Sequence, residues 1–431
     1  MSNNYTELRA FLKADPTAAK RCIERLIKIR SSLNEVRRRK SDGTLLLATW
    51  NLRDFDSNKF GFGFRLRESF YYIAEMISAF DLVAVQEVNR DLSGLRKVMR
   101  ILGREWDYIA TDATEGPGGN AERMVFIFNT EKVWFRKIAG EVVLPDGQLI
   151  VSPKVVKPPK DQKAVKAKPR TREVEQQFAR TPFLVAFQSG WFHFSLCTVH
   201  IYYGKDTGPQ LKRRIAEIEK LVEFFAKRQD EDTKQEIDNL GNVENYILLG
   251  DFNVVSPDHQ TMEALKGQGF KVPEQIDGDR VRKDGDHFYD QIAVRVKDPR
   301  FKVNTGGLVD LYADVFREED LEIYEPLMPK KDPEKNKKFQ AKSSVQLYKK
   351  WRTWQMSDHS PLWIEIGTDF TENYLSGLVN PAIEMASDGT PRKKSKPAEK
   401  LLKVPKRDVT GPKGKTSKRK STQKRKKSAS S

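Results

Sequence analysis

A chain of 431 residues that is 38% hydrophobic, with 24 Phe, has material for one large domain with additions or for two. Its formal net charge of +17 sits in two segments: residues 386–431 hold 17 Lys and Arg against Asp388, Glu399 and Asp408, residues 152–172 hold eight against Asp161, and the rest is mildly acidic. Two cysteines, Cys22 and Cys197, exclude a disulfide framework, and no run approaches the roughly 20 apolar residues of a membrane span.

Along the chain, residues 5–39 read as a helix or helical hairpin. Ala19, Cys22, Ile23, Leu26, Ile27, Leu33 and Val36 recur at three- and four-residue spacing, as on a face packed against a body. The opening MSNNYTELRAF has no basic region followed by an apolar core, so an intracellular, cytoplasmic protein is expected. The main domain is expected over 44–385, with 1–43 as an N-terminal helical extension.

Strands are expected at Leu45 to Asn51, Asp81 to Glu87, Arg123 to Asn129, Lys132 to Ile138, Phe183 to Gln188 and Trp191 to His200, and then at 246–252, Gln291 to Val296 and Pro361 to Ile366. Helices are expected at Arg65 to Ala79, Leu92 to Leu102, Leu211 to Arg228 and 259–267, with a charged helical stretch within 317–350. The insertion 152–172 lacks periodicity and reads as a mobile loop. The Lys-, Ser- and Pro-rich tail 386–431 cannot bury a core and reads as disordered. Many strands and fewer helices, each with one face to hide, suggest two packed sheets with helices outside.

The most informative stretch is Asn245-Tyr246-Ile247-Leu248-Leu249-Gly250-Asp251-Phe252-Asn253. An apolar run ends in glycine, a carboxylate and an amide, and strand alternation would turn Asp251 and Asn253 to one face. Hard oxygen donors of this kind suit a Mg²⁺-type ion that also holds a phosphate. Alone, the stretch is equally a strand ending in a polar turn. Other strands end in the same chemistry, however: Asn51 and Glu87 close the first two and His200 a later one, while Asp290 and the pair Asp358-His359 precede the last two. The chain has only five His, and two of them stand at strand ends among acids.

The blocks LLLATWNLRDFD, DLVAVQEVNRD, AERMVFIFN, LCTVHIYYG, ILLGDFN, YDQIAV and MSDHSP, in that order, resemble the endonuclease/exonuclease/phosphatase superfamily, in particular its deoxyribonuclease I-like branch. The resemblance covers about residues 44–368. It implies a four-layered α/β sandwich of two mixed sheets with outer helices and a Mg²⁺- or Mn²⁺-dependent phosphodiester hydrolase. It further implies metal ligation by Asn51 and Glu87, with Asp358 as a further candidate contact. Asp251 and Asn253 would position nucleophile and phosphate, and His200 and His359 would be paired with Glu122 and Asp290. Arg180 of FARTPF, together with Arg123 of the Glu-Arg pair, would contact substrate phosphate. Which histidine is base and which acid stays open at this level.

The Glu-Arg pair and the His of TVHIYYG favour the deoxyribonuclease-like branch over the exonuclease III branch. Phe288-Tyr289-Asp290-Gln291 lacks the WCDR-type motif of the inositol polyphosphate phosphatases. The basic segments favour a polyanion, so the expected substrate is nucleic acid, most readily DNA cut endonucleolytically. The alternatives are RNA and a small-molecule or lipid phosphate. No required protein partner is evident. Lys349-Lys350-Trp351-Arg352-Thr353-Trp354 mixes cations and aromatics before Asp358, and its tryptophans either stack a base or simply pack.

Overall fold

A computed structural model describes residues 3–113, 121–156, 170–239, 244–282, 287–334, 337–338, 344–379, 383–385 and 391–393. In chain order the elements are α1 (Leu8–Ala14), α2 (Pro16–Ser32), α3 (Asn34–Arg38), β1 (Thr44–Phe55), α4 (Arg67–Ile77), β2 (Leu82–Asn89), α5 (Ser93–Leu102), β3 (Trp106–Ala110), β4 (Glu122–Asn129), β5 (Trp134–Glu141), β6 (Ile150–Val156) and β7 (Arg170–Gln176). They continue with β8 (Phe183–Ser189), β9 (Phe192–His200), α6 (Gly208–Asn239), β10 (Tyr246–Asp251), α7 (Gln260–Leu265), β11 (Asp290–Arg295), β12 (Val303–Leu308), α8 (Leu321–Tyr324), β13 (Lys331–Asp332), β14 (Lys337–Lys338), α9 (Ser344–Gln355), β15 (Leu362–Gly367) and α10 (Thr371–Val379).

Two mixed sheets form the core, a six-stranded one in the order β12-β15-β1-β2-β4-β3 and a five-stranded one in the order β11-β10-β9-β8-β5. Strand alternation assigns their faces. Leu45 and Leu47 of β1, Leu82 and Ala84 of β2 and Phe126 of β4 join Val185 and Phe187 of β8 in the layer between the sheets. Leu46, Ala48 and Trp50 of β1 face the other way, into the cluster with α2, α4, α5 and α9. The outer face of the second sheet is covered by Ile218, Leu221, Val222 and Phe225 of α6 and by Met262 and Leu265 of α7. The result is a four-layered α/β sandwich. Gln86 crosses its middle, donating to Thr49 Oγ1 (3.0 Å) and to Thr198 Oγ1 (2.8 Å) of the facing sheet.

Each sheet holds one parallel pair among antiparallel neighbours: β1 with β2, and β9 with β10. The carboxyl ends of these four strands therefore lie at one edge of the sandwich. The antiparallel neighbours β4, β11 and β15 begin at the same edge, with Asn89 opposite Glu122 and Asp251 opposite Asp290. This topology gathers residues scattered from 51 to 359 into one place.

Helix α2 packs on α4 through Ala19, Cys22, Leu26 and Ile29. Ion pairs fasten it: Arg21 to Glu68 (2.9 Å), Arg25 to Asp320 (2.7 Å) and Arg30 to the buried Glu75 (3.0 Å), which also pairs with Arg37 of α3 (2.5 Å). Both cysteines are free and buried, and no helix among the described residues is long and apolar enough to cross a membrane.

The structure departs from the sequence reading in several places. The flanks of the basic insertion are not loop: β6 and β7 pair over seven residues as an antiparallel hairpin, and 157–169 lie outside the described residues. Most of the tail also lies outside them, apart from the short pairing of Ile383–Met385 with Pro391–Lys393. The helix expected within 317–350 is broken by Pro326, Pro329 and Pro333, leaving α8 and, from Ser344, α9. Helix α6 runs eleven residues beyond its apolar periodicity.

Candidate active site

The site is built where those strand ends converge. Asp251, the last residue of β10, is buried at its centre. Gly250 before it has a φ of 134°, and a Cβ there would stand 2.2 Å from the Val199 carbonyl, so only glycine lets β10 close on β9 at this point. The strand ends at Asp251, and Asn253 is not on its alternating face. With a φ of 51°, Asn253 turns back, donates from Nδ2 to the Ile201 carbonyl (2.9 Å) and gives its backbone N–H to Asp251 Oδ1 (3.0 Å). The fully buried Arg214 holds the Asn253 carbonyl from behind (3.1 Å).

Asn51 lies between two carboxylates. Its Nδ2 donates to Glu87 Oε1 (2.9 Å) and to Asp251 Oδ2 (3.1 Å), while its Oδ1 accepts from the Arg53 backbone N–H (2.8 Å). Glu87 also accepts from the Asp54 backbone N–H (2.7 Å). Burial, with His200 opposing, holds its carboxyl above the usual range. The backbone is contorted along this rim: Arg53, Asp54, Asp56, Glu87 and Asn253 all have positive φ, between 44° and 59°.

Two histidines face the Asp251 carboxylate, each backed by an acid. His200 Nδ1 is 2.7 Å from Glu122 Oε1, and its Nε2 is 3.6 Å from Asp251 Oδ2 and 3.8 Å from Glu87 Oε1. His359 Nδ1 hydrogen-bonds Asp290 Oδ2 at 2.7 Å, and its Nε2 is 3.8 Å from Asp251 Oδ2. Behind His359, its carbonyl accepts from Trp50 Nε1 (2.8 Å) and its N–H donates to Ser357 Oγ, which in turn donates to the Asn51 carbonyl (2.6 Å).

The pairs differ in charge. Arg180 is buried against Glu122 and already answers that carboxylate. Burial and then Arg180 push the His200 imidazole down to about 4, and burial raises Glu122 to about 7. Burial also works against a charged His359, but Asp290 and then Asp251 outweigh it and hold this imidazole well above its ordinary value. His200 is therefore neutral and His359 protonated over the neutral range.

Glu87, Glu122 and His200 present ligand atoms within 4.8 Å of one another, a cluster that could hold a metal ion. Of the expected ligands, Glu87 is in this cluster and Asn51 is bonded to it. Asp358 is turned elsewhere: its half-exposed carboxylate pairs with Arg53 Nη1 at 2.8 Å. Arg123 also points away, to the Thr111 carbonyl (2.6 Å) and to Asp112 (3.2 Å). Arg53 and Ser357 also stand at the site, and both lie inside motifs quoted above. A basic residue two places beyond Asn51 was the available signal.

No family model matches the chain, and no curated protein does. Among solved structures, an endonuclease/exonuclease/phosphatase family protein from Bacteroides thetaiotaomicron is 18% identical, the match covering 76% of this chain and 95% of that one at a TM-score of 0.40. A mannosyl-6-phosphatase from the same bacterium is 19% identical over 75% and 99% of the two chains, TM-score 0.40. A humanized D. rerio TDP2 is 12% identical over 76% and 100%, TM-score 0.42. Likeness at this level carries nothing about substrate.

Proposed function

We propose that the protein is a Mg²⁺- or Mn²⁺-dependent phosphodiesterase that hydrolyses nucleic acid, most readily DNA as an endonuclease. The observation that supports this best is the pair of carboxylate-backed histidines facing one carboxylate, with proton affinities shifted in opposite directions. Hydrolysis of a phosphodiester needs a group that takes a proton from water and a group that gives one to the leaving oxygen. Oppositely shifted proton affinities assign the two roles. His200 is the base, held in position by Glu122. His359 is the acid, kept charged by Asp290. Asp251 lies between their Nε2 atoms and orients the attacking water, and Asn253 fixes Asp251 through its backbone N–H.

The donor set fits a divalent ion. Arg180 answers the charge of Glu122 and Arg53 that of Asp358, whereas the part-buried Glu87 and the buried Asp251 meet across Asn51 without a contacting Lys or Arg among the described residues. Glu87 would hold the ion, with Asp251 beside it and Asn51 setting their separation. Oxygen donors of this kind suit Mg²⁺ or Mn²⁺ and leave His200 for proton transfer. When bound, the ion supplies polarisation of a phosphoryl oxygen. Arg180, at the Glu122 edge, would contact the substrate phosphate. The polyanion is favoured by the two basic segments, whose affinity for phosphates is independent of sequence.

The test is cleavage of plasmid DNA and of end-labelled DNA and RNA oligonucleotides by the full chain, with Mg²⁺, Mn²⁺ or EDTA, beside His200→Ala and His359→Ala. Metal-dependent cutting by the wild type that both variants lose is expected. Equal cutting by all three, or none with either metal, would overturn the reading. Turnover confined to a panel of small phosphomonoesters and lipid phosphates would redirect it to another substrate.

A further inference from the structure

The loop between β1 and α4 carries Lys59-Phe60-Gly61-Phe62-Gly63-Phe64, a run that the catalytic scheme does not use. Gly61 and Gly63 have φ of 76° and 87°, conformations open to glycine. Asn58 pins both, its carbonyl accepting from Gly61 N (3.0 Å) and its Oδ1 from Gly63 N (2.9 Å). The alternation sends Phe62 inward, stacked on Trp354 with 5.0 Å between centroids and 9° between planes. Phe60 leans on the same indole at 4.9 Å. Phe60 remains 41% exposed and Phe64 64% exposed, although the loop that holds them is fixed.

The platform adjoins the reacting centre through one side chain. The Arg53 guanidinium lies 4.2 Å from the Trp354 ring centroid and pairs with Asp358, the residue before His359. The Lys59 ammonium is 5.4 Å from the Phe60 ring. The tryptophans of the KKWRTW run do not present a surface themselves, since Trp351 and Trp354 are buried. Trp354 instead backs Phe60 and Phe62. Rings held out in water beside cations and a phosphodiester site are the combination that binds an unpaired strand, with backbone on the cations and bases on the rings.

We propose that Phe60 and Phe64 form a base-stacking subsite for unpaired nucleobases of a single-stranded substrate, flanking the phosphate at the Asp358–His359 end of the site. This rests on the nucleic-acid reading above, so the test measures binding separately from cleavage. Fluorescein-labelled deoxyoligonucleotides would be titrated with the full chain in EDTA. The probes are a normal single strand, a strand of equal length with abasic tetrahydrofuran residues, and a blunt duplex.

The single strand should bind more tightly than either comparator. Phe60→Ala and Phe64→Ala should each weaken it about tenfold while leaving the abasic strand unchanged, and Phe60→Tyr should keep wild-type affinity. Equal wild-type affinity for the normal and abasic strands, or equal loss on both in the alanine variants, would overturn the subsite. Base-dependent binding without cleavage in Mg²⁺ or Mn²⁺ would sustain the subsite and sink the proposed activity instead.

Discussion

The two histidine–acid pairs share a geometry and differ in what stands behind the acid. Both imidazoles bring Nδ1 to 2.7 Å from a carboxylate oxygen, in hydrogen-bond geometry only for His359 and Asp290, and both turn Nε2 toward Asp251. Glu122 is already engaged by the buried Arg180, whereas the cation nearest Asp290, Arg282, donates to its backbone carbonyl (2.7 Å). Burial, and after it Arg180, lowers the proton affinity of His200, whereas at His359 Asp290 and then Asp251 outweigh burial and raise it. Similar distances thus go with opposite shifts, and the charges nearest each imidazole separate them.

Chelation is the bluntest way to break this comparison, because neither pair should act alone. EDTA should lower cleavage on the order of 10³-fold or more, with recovery on adding Mg²⁺ or Mn²⁺. Removing either imidazole comes next. His200→Ala and His359→Ala should each lose about 10²- to 10⁴-fold in single-turnover rate. A p-nitrophenyl phosphodiester, whose leaving group needs no proton, separates them: His359→Ala should recover most of its loss on it and His200→Ala should not. Equal recovery would remove the acid and base assignments.

Smaller effects sharpen it. Because the proton affinity of His359 is raised, its acid form persists into alkaline solution, and kcat/KM falls only as pH rises through that raised value. Asp290→Asn removes the main cause, so the alkaline limb should move down toward the ordinary histidine range, costing about tenfold near pH 8. His200 is depressed to about 4, so the base is lost only as pH falls through that value. Arg180→Gln should let Glu122 hold a proton on His200 and move the acid limb upward by about one unit, alongside weaker substrate binding. An acid limb that does not move would mean that Arg180 has no part in the asymmetry.

Much of the fold was readable because its central strands are continuous apolar runs ending in polar residues. DLVAVQ and YILLGD are buried along their length and show where they stop. Strands β3 and β12 lacked that signal: Trp106–Ala110 is short and half-exposed, and Val303–Leu308 contains two glycines without alternation. The flanks of the basic insertion read as loop because charge masked their pairing. Within the site, residue types at strand ends could be read, but side-chain partners could not. Nothing in MSDHSP says that Asp358 will pair with Arg53 some three hundred residues earlier. Nothing in ILLGDFN says that the chain will turn left-handed at Asn253, which spoils the expectation of a shared face.

The left-handed backbone along the rim has a consequence for how this protein would respond to engineering. Each non-glycine residue held there costs on the order of 1–3 kcal/mol, and five of the nine such residues described stand around the site. Net stabilities of domains are only about 5–15 kcal/mol. A screen that rewards heat resistance alone would be drawn to this rim, where glycine relieves the backbone at once. Among its first harvest would be Glu87→Gly, a sturdier protein without the carboxylate that the ion needs.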